Sequence, residues 1–209
     1  MVKDTDSVNI NSNNEFKYRD WWEHNYAYGG TSGLGSYGKL AEFKAEVINS
    51  FINKNNINSV IEYGCGDGNQ LSYMNYKNYI GLDIANSALQ ICREKFKNDA
   101  TKTFELYDTK KINSIKFQAE LVVCLDVLYH IIDDYDFEKT LEDIFTCASK
   151  YVVLYTRITT DEEPEIAPTI KDRDILRYLE KFNGFKISEI IKQKYPSESS
   201  ADFIILERI

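Results

Sequence analysis

Apolar positions along the chain fall into two periods. Leu40, Phe43, Val47, Ile48, Phe51 and Ile52 recur every three or four residues, which predicts an amphipathic helix. Beyond it the period shortens, and compact apolar runs at 59–63, 78–83, 102–107, 119–125 and 151–156 read as strands. Helical spacing returns between them at 69–75, 87–97 and 137–149. The last of these would bury Leu141, Ile144, Phe145 and Ala148. Ser87-Ala88-Leu89-Gln90 has the form of a capping box, with Ser87 as the cap. Strands alternating with helices predict βαβ units, hence a doubly wound α/β fold with a parallel sheet and helices on both faces. The rhythm breaks near the end. A helix at 172–182 stops by Gly184, and runs at 185–195 and 201–208, joined through 196–200, predict an antiparallel hairpin added to the sheet.

The front of the chain follows neither period. Residues 1–14 are rich in Asn, Ser and Asp and are expected to form a poorly ordered tail, leaving 15–209 as one domain. Within 15–38, Phe16, Tyr18, Trp21, Trp22, Tyr26 and Tyr28 run into a glycine-rich stretch. Aromatics beside such a stretch predict a lid over a site, with a surface turn as the plain alternative.

Composition narrows the classes. With 209 residues, 43 % of them hydrophobic, the chain can bury a substantial core. A net charge of −8 repels phosphate backbones, which argues against nucleic acid as the main partner. The four cysteines contain no CxxC pair and read as reduced thiols. No apolar run resembles a signal peptide or approaches the ~20 residues of a membrane span, so a cytoplasmic protein without membrane insertion is expected. Nothing in the pattern chooses between monomer and dimer.

The chemistry concentrates in Val60-Ile61-Glu62-Tyr63-Gly64-Cys65-Gly66-Asp67-Gly68-Asn69-Gln70. A strand there ends in an acid and enters a G-x-G-x-G loop, placed where ligands of open α/β sheets bind. A nicotinamide loop wants a third glycine where Asn69 stands, and Glu62 would repel a pyrophosphate. A phosphate-free, cationic cofactor suits these charges better; a nicotinamide-dependent oxidoreductase is the alternative. Asp83, closing the second strand, can accept hydrogen bonds from both hydroxyls of a ribose. Asp108 and Asp126 close the next two strands, so four acids are expected on one rim of the sheet.

At these residues the sequence resembles the class I S-adenosylmethionine-dependent methyltransferases, over roughly residues 37–209. The resemblance implies a seven-stranded sheet in the order 3-2-1-4-5-7-6. It also implies S-adenosylmethionine as methyl donor, S-adenosylhomocysteine as product, and a small-molecule acceptor. Residues 62–68 match the family's first motif, Asp83 its ribose acid, and Asp108 the residue near the adenine amine. The implied donor-binding set is Glu62, Gly64, Cys65, Gly66, Gly68, Asn69, Gln70, Asp83, Ile84, Asp108, Thr109 and Leu125, with Trp22 and Tyr28 from the front segment. Leu125-Asp126-Val127-Leu128-Tyr129-His130 resembles the segment beside the transferred methyl. His130, Tyr129 and His24 are thus the catalytic candidates; a histidine near its ordinary pKa suits proton removal at neutral pH. Tyr18, Tyr37 and Arg157 are candidates for binding the acceptor. No metal is expected, although Asp126 with Asp133 or Asp134 is a weaker option. Residues 28–40 further resemble small bacterial methyltransferases of surface-polysaccharide biosynthesis, including those of capsular O-methyl phosphoramidate. That points to O-methylation of a polar acceptor, with N-methylation of a metabolite or nucleotide sugar as the alternative.

Overall fold

The computed structural model describes residues 16–110, 117–159 and 167–209. Seven strands, β1 (Ser59–Tyr63), β2 (Asn78–Asp83), β3 (Lys102–Leu106), β4 (Ala119–Leu125), β5 (Ala148–Arg157), β6 (Phe185–Ile191) and β7 (Ala201–Arg208), form one sheet ordered β3-β2-β1-β4-β5-β7-β6. The pairs from β3 through β5 are parallel, whereas β7 is antiparallel to both β5 and β6. This is the expected fold class. Strand order reverses between the parallel β1 and β4, so their carboxyl ends flank the crevice where α/β sheets bind ligands.

Alternate residues of the central strands serve two cores. On one face Val60, Leu121, Val123 and Val153 meet Phe43, Ile48 and Ile52 of α2 (Gly38–Asn55) and Leu89 and Cys92 of α3 (Asn86–Lys95). On the other face Ile61, Val122, Val152 and Leu154 meet Phe137, Leu141 and Ile144 of α4 (Asp134–Cys147) and Ile175 and Leu179 of α5 (Ile175–Leu179). Continuous burial of the β4 and β5 interiors is what a parallel sheet covered on both faces requires.

Several expected boundaries move. The span 69–75 makes only a 3₁₀ turn, Gln70–Tyr73, because the Asn69 and Gln70 side chains bond to carbonyls of Ser36 and Ala41. Ser87 does not cap α3: the helix starts one residue earlier, after Ala85. Glu23 supplies the missing acceptor from a distance, taking the Ser87 N–H at 3.2 Å and its hydroxyl. The helix expected at 172–182 shrinks to α5, since Asp172 pairs with Arg157 and Arg173 pairs with Asp134. β6 stops at Ile191, where the Gln193 N–H turns to the Asp202 side chain. Among the described residues no helix is long and apolar enough to cross a membrane.

The front segment folds back over the crevice. Helix α1 (Tyr18–Ala27) is tied to α4 through Asp136, which accepts from the Tyr18 hydroxyl at 2.7 Å and Arg19 Nε at 2.9 Å. Asp136 is therefore buried, although an acidic run such as 133–136 reads in sequence as a solvated helix start. Asp133 caps the helix, accepting the Asp136 N–H at 2.8 Å.

Candidate active site

The turn after β1 is held by its own backbone. The N–H groups of Gly64 and Cys65 both donate to the Leu82 carbonyl, at 2.7 and 3.0 Å. Gly64 has φ +79°, and a Cβ there would stand 2.3 Å from a Val127 methyl. At Gly66, with φ +54°, a Cβ would stand 2.2 Å from the Ser32 hydroxyl. No side chain fits either place. The glycines admit other parts of this chain: Val127 from beyond β4, and Ser32 from the front segment.

Asp67 locks that segment down. Its carboxylate accepts from the Ser32 N–H (3.0 Å), the Tyr37 hydroxyl (2.7 Å) and the Asn69 N–H (2.9 Å). Burial would raise its pKa, but these bonds outweigh it and hold the group below the usual carboxylate range.

Between loop, strand ends and lid lies a cavity of about 260 Å³. Glu62, Gly64, Cys65, Gly66, Gln70, Asp83, Ile84 and Leu125 line it from the sheet side. Trp22 and Tyr18 line it from the lid, and Tyr129 and His130 from beyond β4. Burial pushes Glu62 up to about 7, although the Tyr79 hydroxyl donates to it at 2.6 Å. Burial likewise raises Asp83 to about 6, against N–H bonds from Ala85 (2.9 Å) and Gly66 (2.8 Å). Gln70 gives its NH₂ to the Ala41 carbonyl, while its buried Oε1 has no hydrogen-bond partner among the described residues.

His130 Nδ1 lies 2.7 Å from the Thr169 carbonyl oxygen, so that nitrogen carries the proton and Nε2 keeps its lone pair. Burial lowers its pKa, which keeps the ring neutral at pH 7. Trp22 meets the imidazole edge-on, with centroids 5.4 Å apart.

The other candidates sit elsewhere. His24 and Tyr28 stack on each other on the outer surface of the lid, ring centroids 4.2 Å apart, and neither lines the cavity. Tyr37 spends its hydroxyl on Asp67, and Asn69 holds the Ser36 carbonyl. Gly68 packs against Cys92 and Phe96. Thr109 bonds to Asp136 and to Arg19 NH2, and Asp108 lies 3.9 Å from Arg19, so Arg19 lines the cavity where those two do not. Arg157 pairs with Asp172 at 2.6 Å; Asp161 and Glu162, the next acids along the sequence, lie outside the described residues. The rim therefore brings three acids to the cavity, Glu62, Asp83 and Asp126. The carboxylates weighed for a metal are engaged separately: Asp126 with Lys44, Asp133 as a cap, Asp134 with Lys171 and Arg173. Among the described residues there is no cluster of three or more His, Cys, Asp or Glu side chains able to hold a metal.

Sequence reasoning missed Lys44, Tyr26 and Ser32. Lys44 was legible: it interrupts the apolar stripe of α2 between Leu40 and Ile48, where a charge needs a buried partner. Tyr26 was legible only as one aromatic of the front segment, and Ser32 gave no signal.

This architecture defines the class I methyltransferase fold. Residues 37–195 match the methyltransferase domain family, and the chain belongs to it. It is thus one of the S-adenosylmethionine-dependent methyltransferases. Magnesium protoporphyrin IX methyltransferase from Synechocystis, solved with bound S-adenosylmethionine, superposes with a TM-score of 0.66 at 15 % identity, covering 95 % of this chain and 100 % of that one. The N-methyltransferase NodS from Bradyrhizobium japonicum, solved with S-adenosylhomocysteine, gives 0.68 at 12 % identity over 92 % and 99 %. An S-adenosylmethionine-dependent methyltransferase from Clostridium acetobutylicum gives 0.62 at 15 % over 92 % and 99 %. At these identities the likeness is one of fold. No curated protein matches the chain.

Proposed function

We propose that this enzyme methylates an oxygen of a small polar acceptor, using S-adenosylmethionine held between the β1 turn and the lid, with His130 as general base. When bound, the donor supplies an electrophilic methyl group on a sulfonium. The residues present fit such a group. Glu62 and Asp83 offer negative charge, the buried Gln70 Oε1 is an acceptor still wanting a donor, and the lining cations Lys44 and Arg19 are bonded to Asp126 and Asp136. A cationic ligand without phosphate suits that inventory; a pyrophosphate does not. Asp83 has accepted two N–H bonds and retains lone pairs for a ribose.

The observation that carries the oxygen reading is the His130–Thr169 bond. It fixes a neutral imidazole whose Nε2 can take a hydroxyl proton, a service that an already ionised acceptor does not need. Trp22 and Tyr129 pack against the ring, with centroids 5.4 and 4.5 Å away. The polysaccharide setting rests on the resemblance of residues 28–40, and a small acceptor and cytoplasmic action accord with the net charge of −8 and with four buried cysteines that form no CxxC pair.

The test is His130→Gln, assayed with calorimetry for S-adenosylhomocysteine and with turnover across a panel of sugar alcohols, phenols and amines. Product affinity should stay within about twofold while kcat falls ~10²–10⁴-fold. Undiminished turnover on a hydroxyl acceptor would remove the base, and wild-type turnover confined to amines would remove the oxygen reading.

A further inference from the structure

The core-facing stripe of α2 carries an ammonium. Lys44 is fully buried and follows Leu40 and precedes Ile48 at four-residue spacing. Its Nζ donates to Asp126 Oδ2 at 2.7 Å and lies 5.2 Å from the centre of the Tyr155 ring. The other carboxylate oxygen accepts from the Tyr129 hydroxyl at 2.8 Å. On the lid side, a Cβ at Gly35 would stand 2.8 Å from Oδ2, so the strap's backbone closes over that oxygen. Both Lys44 and Asp126 line the cavity, and Asp126 sits in the left-handed region with φ +60°, in the turn that leads to Tyr129 and His130.

A half-buried carboxylate lining a cavity is a ready counter-ion for an amine or a hard cation. Here the protein's own ammonium holds that place, and Glu62 and Asp83 form no ion pair among the described residues. The negative charge open to a ligand is thereby confined to the end formed by the β1 and β2 turns. We infer that Lys44 is a built-in ammonium filling the cation subsite of Asp126, so that the acceptor end of the cavity rejects amines and admits neutral hydroxyl compounds. Lys44 is in this sense a specificity residue for the acceptor. The inference rests on the proposed function, which decides which end the acceptor occupies.

The experiment saturates the protein with S-adenosylhomocysteine and titrates in n-butylammonium, 1-butanol and butyrate by calorimetry. Wild type should show no saturable uptake of butylammonium. Lys44→Met, which keeps the length and apolar stem, should bind butylammonium about tenfold or more tightly than 1-butanol. Asp126→Asn, which leaves Lys44 without its counter-ion, should prefer butyrate instead and serves as the second readout if Lys44→Met does not fold. Equal affinity of Lys44→Met for ammonium and alcohol overturns the inference, as does uptake of butylammonium by wild type or indifference of Asp126→Asn to the sign of the probe. Failure of wild type to take S-adenosylhomocysteine at the outset overturns the proposed function, and this inference with it.

Discussion

Two carboxylates with raised pKa values in one cavity make donor binding a titration. In the free protein burial pushes Glu62 up to about 7 and Asp83 up to about 6. Both shifts come first from burial, which disfavours the ionised form, and the charge on Asp83 adds to the shift of Glu62. A cationic donor binds the ionised pair, so protons must leave as it enters. The sign is then fixed. Because these folded-state values lie above the ordinary carboxylate range, the groups are protonated at acid pH, and affinity rises with pH through 6 and 7 before levelling off. At pH 5 Glu62 lies about two units below its titration point and Asp83 about one, which weakens binding by about a hundredfold and about tenfold, or ~10³ together. Near pH 7 about half a proton should be released per donor bound.

Calorimetry of S-adenosylmethionine between pH 5 and 7.5, in buffers of different ionisation enthalpy, measures both affinity and protons released. That range stops short of the donor's own ammonium, whose ordinary pKa is ~7.7–8.0. Other charged groups line the cavity. Lys44 and Arg19 are held by Asp126 and Asp136, while His130, as it gains a proton at low pH, repels a cation and acts in the same direction. Glu62→Gln separates these contributions: it should abolish about two of the three decades lost by pH 5 and leave the roughly tenfold fall that belongs to Asp83. A donor affinity constant from pH 5 to 7.5, or one that falls as pH rises, would refute the reasoning.

The lid yields two further expectations. Glu23→Ala removes the acceptor for the Ser87 N–H and hydroxyl at the start of α3. The loss of a cap costs ~1 kcal/mol, or ~2–4 °C in a protein of this size, measurable by scanning calorimetry, and an unchanged melting temperature would mean the contact carries no weight. Asp67→Ala leaves the Ser32 N–H and the Tyr37 hydroxyl without their acceptor, so amide exchange should quicken by about tenfold or more across residues 30–37 while the central strands keep their protection.

Strand existence and order were legible because parallel strands buried on both faces must be short, continuous apolar runs, and β1, β2, β4 and β5 are such runs. The loop glycines were legible as a turn, but which groups fill the spaces beside them was not, since Val127 and Ser32 come from other parts of the chain. The capping box at Ser87 misled because local pattern cannot register Glu23, whose side chain arrives from α1. The same holds for Asp136, whose run of acids reads as a solvated helix start until Tyr18 and Arg19 are brought to it. Tyr28 and His24 looked like cavity aromatics by their place in the sequence. A ten-residue helix has two sides; His24 falls on the outer one, and Tyr28, just past the helix end, stacks on it there.

The lid and the donor loop share one set of contacts. Gly66 gives up its side chain to Ser32, Asp67 grips Ser32 and Tyr37, and Asn69 holds Ser36, so four consecutive loop residues, 66–69, commit three positions to the front segment. The family match begins only at Tyr37, so α1 and the strap that follows it lie in front of the matched span. A substitution at Gly66 would therefore act first on the lid. A methyl there must displace Ser32 before it meets any ligand, and it would strip the Asp67 N–H of the Ser32 hydroxyl that receives it at 2.9 Å. Loop and lid form one mechanical unit, and a change in either is felt by the other through Ser32.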